Sequence, residues 1–334
     1  MNTNFEWKSR SRKYTKTIFQ EQALYQNSGN CYFTLMKDLK ILLEAMRLKA
    51  WTKNFFVFAA LLFGRVWSFG ALEKTLLAAI GFGLVSSAIY LLNDVMDRDK
   101  DRLHPVKKHR PIASERLSVK AALAAAAVLS FGTLAVTWVL SPWLALVYTV
   151  YLVKQTGYSL KLKNVAILDC ILIALGFVLR ALAGVAVLFD AGELIRLSPW
   201  LVICTFFLAL LLAFAKRRHE LSLLGDEARE HRSNLKDYSI PLLDQMISIT
   251  AGTSILGYSI YTVSDRTAEV VSPHLWITIP FVAYGVFRYL LLVYSEGLGG
   301  SPDKILLKDT PLKINLLLWV LTVAAILFKD SAFV

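Results

Sequence analysis

LLAAIGFGLVSSAIYLLNDVMDRDKD (Leu76–Asp101) is almost wholly apolar up to Leu92 and then carries four aspartates within eight residues. An apolar stretch of about 20 residues is long enough to cross a bilayer as a helix, so the carboxylates stand where such a helix leaves the membrane. If the helix continues past Tyr90, Asp94, Asp97 and Asp101 fall at i, i+3 and i+7 and share one face. Asp99 points away from them. Three carboxylates on one face repel each other unless solvent or a divalent cation neutralises them, and Mg²⁺ takes one or two carboxylates together with phosphate oxygens and water. Asn93 adds a neutral oxygen. The segment that follows, RLHPVKKHRPIA (102–113), brings Lys107, Lys108 and Arg110 between two stiffening prolines, Pro105 and Pro111. Carboxylates for a metal beside cations for phosphate oxygens make a pocket suited to a magnesium diphosphate. A solvated loop is the plain alternative for such spacing, and the position at the membrane end of a helix argues against it.

The same logic extends over the chain. Its 334 residues are 56% hydrophobic and only 19% charged, too apolar for an ordinary soluble domain. Apolar segments fall near 54–72, 75–95, 118–139, 142–159, 165–189, 198–215, 239–262, 274–294 and 314–328, which predicts an all-α, polytopic membrane protein of about nine transmembrane helices. Basic residues accumulate in short cytoplasmic loops. With the N-terminus inside, ten fall in 1–53, eight in 96–120, three in 154–163, six in 216–236 and four in 288–313, so 31 of the 37 Lys and Arg lie on one side. The net charge of +12 then suits a basic face against anionic membrane lipids and calls for no nucleic acid. Residues 1–32 are polar and basic and are expected to form no fixed structure. They contain no apolar h-region, so targeting is expected to use the first span. FTLMKDLKILLEAMRLKAW (33–51) has apolar residues at helical spacing and predicts an interfacial helix over 33–53, ahead of a catalytic membrane domain over 54–330.

Further charges gather at the side that carries the aspartates. YSLKLKNVAILD (158–169) places Tyr158, Lys161 and Lys163 at the ends of the fourth and fifth spans, with Asp169 just inside the fifth. Arg180 lies on the same helical face as Asp169, eleven residues on and too distant for a direct pair. Such an intramembrane cation is expected to face a polar interior, bound either to helix carbonyls or to substrate. Lys216 and Arg217, where span six ends, serve either as a topology signal or as phosphate contacts. Gly176 and Gly184 read as close helix packing. The five histidines have no ligand spacing, and the three cysteines imply neither a disulfide framework nor a zinc site. No G-x-x-x-x-G-K loop or H-E-x-x-H motif is present.

NDVMDRDKD at the end of a second span resembles the N-D-x-x-D-x-x-x-D motif of the UbiA superfamily of intramembrane prenyltransferases. Members of that superfamily carry a second motif, D-x-x-x-D, where this chain has two lysines and the single Asp169. That departure is similar to one branch of the superfamily, which transfers a phosphoribosyl group to decaprenyl phosphate. GFVLRALAG (176–184), FFLALLLAFAKRRHEL (206–221) and FRYLLLVYSEGLGGSPDKILLKDTPL (287–312) carry the likeness further. RLKAWTKN (47–54) matches that branch's R-P-K-Q-W-x-K-N in Arg47, Lys49, Trp51, Lys53 and Asn54, with Lys53 its phosphate-contact candidate.

The resemblance implies transfer of 5-phosphoribosyl from phosphoribosyl pyrophosphate to a polyprenyl phosphate. Mg²⁺ would be held by Asp94, Asp97 and Asp101, and phosphates by Lys107, Arg110, Lys161 and Lys163, with Tyr158 and Asp169 positioning substrate. It also implies a site on the cytoplasmic side of the inner membrane, open sideways to lipid, and a homo-oligomer. Two alternatives stand beside it. An aromatic prenyltransferase would need a second acidic pair, and a transporter or scaffold would use the charges only for topology.

Overall fold

The computed structural model describes residues 38–193, 198–224, 233–295, 298–300, 305 and 308–331, and all of their regular structure is helical. Seven of these helices are long and apolar enough to cross a membrane. They are α3 (Phe69–Met96), α5 (Val119–Leu140), α7 (Leu168–Phe189), α8 (Pro199–Leu224), α9 (Ile240–Val263), α10 (Ile279–Ser295, which spans together with the 3-10 turn Leu275–Thr278 before it) and α11 (Thr310–Ser331).

Two of the nine expected spans depart from this pattern. The fourth is a helix, α6 (Pro142–Leu160), whose second half, KQTGYSL, is too polar for the stretch to rank with the seven. The first is no long helix. Residues 38–45 form a short helix, α1, so the continuous helix expected over 33–53 does not extend to its end. The chain turns at Arg47, in the left-handed region (φ 54°), and winds as a 3-10 helix over Leu48–Phe58 before the short α2 (Ala59–Gly64). The expected N-terminal segment 1–32 lies outside the described residues.

The 3-10 winding has a packing reason. Side chains at i and i+3 eclipse in that helix, which stacks Trp51, Asn54 and Val57 along one edge. Trp51 donates to the Ser87 hydroxyl at 3.0 Å, Asn54 donates to the Ala79 carbonyl at 3.2 Å, and Val57 is fully buried. Two glycines admit this edge. A Cβ on Gly83 would meet the Trp51 ring at 2.6 Å, and a Cβ on Gly184 would stand 1.9 Å from the Val57 carbonyl oxygen.

The chain divides into two compact units: Met1–Leu48 with Tyr90–Ala126, and Lys49–Ile89 with Ala127–Val334. The larger unit has a core of Cys170, Ala174, Leu211, Phe214, Leu243 and Ile247, contributed by α7, α8 and α9. A second cluster unites Tyr258, Tyr261, Leu275 and Val323. Helix α7 is buried along most of its length and α5 hardly at all, as suits a central helix and a lipid-facing one.

Gly184→Ala should lower the thermal unfolding midpoint of the purified protein by the equivalent of about 1–3 kcal/mol, the usual cost of overpacking. Gly252, with open space where its Cβ would be, provides the matched control. Its change to Ala should be neutral or should gain up to about 1 kcal/mol of helix propensity.

Candidate active site

In the smaller unit the Asp-rich stretch bends rather than running straight. Helix α3 ends at Met96, Asp97 sits at φ −93°, ψ 4°, and α4 (Arg98–Leu103) follows. The i→i−4 hydrogen bonds continue through the bend, from Asp97 N–H to Asn93 at 2.9 Å and from Asp101 N–H to Asp97 at 2.8 Å. Asp94 and Asp101 are therefore both buried, at 3% and 4% exposure, Asp97 and Asn93 are half-buried, and Asp99 faces solvent.

Buried carboxylates need counter-charge, and arginines supply it. Arg110 Nη1 donates to Asp94 Oδ1 at 3.1 Å and to Asp101 Oδ2 at 2.6 Å, so one guanidinium bridges the two acids. Arg47 donates to the same Asp94 oxygen and stacks over the Tyr90 ring at 5.0 Å. Around them, Glu44 receives both arms of Arg116 at 2.7 and 2.8 Å, which hold its carboxyl below the ordinary range. Glu115, itself left-handed (φ 62°), takes Arg98 and Arg102. A cavity of about 280 Å³ opens here, lined by Glu44, Arg47, Asp94, His109 and Arg110 among others.

The expected Asp94–Asp97–Asp101 metal triad is not assembled. Among the described residues no three His, Cys, Asp or Glu side chains form a group that could hold a metal, and Arg110 bridges Asp94 and Asp101. The donor chemistry still suits Mg²⁺. Two hard carboxylates already converge on a single cationic nitrogen, and Mg²⁺ completes its shell from phosphate oxygens and water.

In the larger unit, Lys161 caps α6 and is exposed, and Lys163 is half-buried in the 3-10 turn Leu162–Asn164. Tyr158 is half-buried, while Lys53 and Lys216 are exposed, as is Lys107 in the smaller unit. Asp169, a candidate for positioning substrate, and Arg217, read as either a topology signal or a phosphate contact, face each other. Arg217 Nε meets Asp169 Oδ2 at 2.7 Å and Nη1 meets Glu220 at 2.6 Å, with both members of the first pair essentially unexposed. Tyr238 completes the lock. Its hydroxyl donates to Asp169 at 3.0 Å and accepts the Ile167 N–H at 2.6 Å, and burial pushes the phenol's pKa up. Ile167 is the backbone outlier of this turn (φ 66°, ψ −49°). A β-branched residue there is strained, and Tyr238 holds it directly after the two lysines.

Arg180 is 4% exposed and bonds to neutral groups: Asn54 Oδ1 at 3.0 Å, the Gly176 carbonyl at 2.7 Å, and Ser86 and Tyr151 hydroxyls at 3.4 and 3.5 Å. The sequence names Arg47 as a motif match without a role and gives none to Tyr238 or Lys154. Only Arg47 carried a signal, its place in RLKAWTKN.

Comparison with known proteins bears on the family and the fold. The UbiA prenyltransferase family model matches residues 54–298. A decaprenyl-phosphate phosphoribosyltransferase of Mycolicibacterium smegmatis is 31% identical over 86% of this chain and 92% of its own. The enzyme of that name from Mycobacterium tuberculosis is 33% identical over 84% and 92%. A UbiA homolog from Archaeoglobus fulgidus, solved with GPP and Mg²⁺, superposes with a TM-score of 0.65 at 19% identity, covering 86% of this chain and 99% of that one.

Arg217→Met should destabilise the fold by about 3–5 kcal/mol, because it strands Asp169 as a buried charge. The double variant Asp169→Asn/Arg217→Met should recover part of that loss in the same thermal or denaturant assay. Recovery would mark the pair as structural, and a double variant worse than the single would not.

Proposed function

The chain belongs to the UbiA prenyltransferase family and is a multi-pass membrane protein, and we propose that it transfers a 5-phosphoribosyl group from phosphoribosyl pyrophosphate to a polyprenyl phosphate. The observation that carries this reading is the likeness, over most of both chains, to enzymes named decaprenyl-phosphate phosphoribosyltransferase. The lysines support it. Where a second acidic motif would grip a prenyl diphosphate, this chain has Lys161 and Lys163, and its one acid there, Asp169, is consumed by Arg217.

In the proposed reaction a phosphate oxygen of the lipid attacks C1 of the ribosyl group, the bond from C1 to the pyrophosphate oxygen breaks, and pyrophosphate leaves. The lipid phosphate is already anionic, so no general base is required. The chain's task is positioning and charge stabilisation. Asp94 and Asp101, with Asp97 beside them, are the residues that would hold Mg²⁺. When bound, the ion neutralises the departing pyrophosphate. Arg110 and Arg47, which line the same cavity, would offer guanidinium forks to phosphate oxygens. Within the smaller unit Lys107 would be a further phosphate partner and Asn93 a polar group for the ribose; the larger unit by itself carries Lys53, Lys161 and Lys163 as phosphate candidates and Tyr158 as a ribose candidate. Asp169 and Arg217 act as positioning residues, because their charges are already matched. The Lys and Arg asymmetry supports a site on the cytoplasmic side, where a soluble donor would arrive.

Purified protein with Mg²⁺, labelled phosphoribosyl pyrophosphate and polyprenyl phosphate should move label into the lipid phase. Asp94→Asn should cut that rate by about 10²-fold or more, in line with loss of one preorganised electrostatic group. A parallel tube with a prenyl diphosphate and an aromatic acid tests the rival chemistry. Product in that tube alone would overturn the proposal.

A further inference from the structure

Three cationic side chains lie in the helical interior of the larger unit, and they are neutralised unequally. Arg217 meets Asp169 and Glu220. Lys154, on α6, and Arg180, on α7, meet no carboxylate among the described residues. Arg180 has the neutral partners given above, two of them at long range, and the rings of Phe82, Tyr151 and Phe177 lie 4.8, 5.3 and 5.5 Å from its Cζ. Lys154 donates to the Leu172 carbonyl at 2.8 Å and lies 5.1 Å from the centre of the Tyr151 ring. An ammonium has three donors, which leaves two of them for something else. The two cations also share one space. A Cβ on Gly176 would stand 3.2 Å from Lys154 Nζ and 3.5 Å from Arg180 Nη1, so the glycine makes room for both.

Like charges this close in an apolar interior repel strongly. Carbonyl dipoles and aromatic faces moderate the charge of a cation without cancelling it. Ser86 and Tyr151, hydrogen-bonded to each other at 3.3 Å, add two hydroxyls to the same group. Every feature of the cluster suits a single anion.

We propose that Lys154, backed by Arg180 and Tyr151, seats the phosphate monoester of the lipid acceptor, an assignment that rests on the phosphoribosyl-transfer reading above. Depth and lining distinguish lipid from soluble donor. Lys154 lies seven residues before Lys161, about 10 Å along α6 at 1.5 Å per residue, with the Tyr151 ring beside it. A soluble diphosphate would have to shed its whole hydration shell to reach it. A polyprenyl phosphate arrives with its tail already in the apolar phase and brings one small anionic head. Lys154 is the contact residue because it is half-buried with donors to spare, whereas Arg180 is buried and supplies charge from behind.

The test separates acceptor from donor. Lys154→Gln should raise the KM for polyprenyl phosphate about tenfold or more and leave the KM for phosphoribosyl pyrophosphate unchanged, while Lys154→Arg should stay within about threefold of wild type. Gly176→Ala, which pushes a methyl into the shared space, should weaken acceptor use in the same selective way. Ligand protection of the wild-type protein against thermal unfolding gives a measurement independent of turnover. A short-chain polyprenyl phosphate should protect, and neither the matching polyprenol nor inorganic phosphate should. An unchanged acceptor KM in a folded Lys154→Gln protein that still transfers phosphoribosyl sinks the seat and spares the function. Lys154-dependent protection by the lipid phosphate without any phosphoribosyl transfer sinks the function and spares the seat. Equal protection by inorganic phosphate makes this a site for free phosphate and overturns the lipid assignment.

Discussion

In an apolar helical bundle a charge persists only where another charge, a carbonyl or a ligand answers it, and most of the polar geometry of this protein follows from that constraint. Asp169 has no water to solvate it, so it is met by Arg217 and by the Tyr238 hydroxyl. Asp94 and Asp101 are buried at the end of α3 and in α4, and Arg110 bridges them. The cost of desolvating such groups is several kcal/mol each if they stand alone. Each is therefore fixed in place by a partner of opposite sign, and the elements that carry the partners are fixed along with it.

The two kinds of pairing have different chemical prospects. The Asp169–Arg217 pair is essentially unexposed and holds α7 against α8. The arginines on Asp94 are part-buried and line a cavity, so a magnesium-bound diphosphate could take over both signs of charge, metal against carboxylate and guanidinium against phosphate. Such an exchange conserves neutrality, which is why an arginine-bridged acid pair and a diphosphate site are compatible in the same few residues. Lys154 and Arg180 form a third case, cations answered among the described residues by neutral groups.

Backbone geometry prepares these sites. The 3-10 segment that replaces a first long helix puts Asn54 where it receives the Arg180 Nε–H, and Gly184 lets that segment lie against α7. Arg47 reaches Asp94 from a left-handed position at the turn between α1 and the 3-10 helix. Ile167, strained and held by Tyr238, sets the entry to α7 directly after Lys161 and Lys163. None of these residues belongs to the Asp-rich motif, yet each governs where a charged side chain ends up.

Much of this was legible in the chain itself. The run of apolar segments made an all-helical membrane protein the natural reading, and the spacing of Asp94, Asp97 and Asp101 marked the acidic centre, because both signals are local: hydropathy over about 20 residues and periodicity over two turns. Gly184 was read as a packing position for the same reason. The sequence could not show that the first apolar stretch winds as a 3-10 helix, since that depends on what Trp51, Asn54 and Val57 meet on other helices. Nor could it say which charge answers which. Asp169 and Arg217 are 48 residues apart and Arg180 and Asn54 are 126 apart, and no local pattern ties the members of either pair together. Local composition determines that a segment is a buried helix. Only tertiary packing decides which polar groups that helix brings face to face, because the penalty for an unanswered charge is settled between segments that the sequence holds far apart.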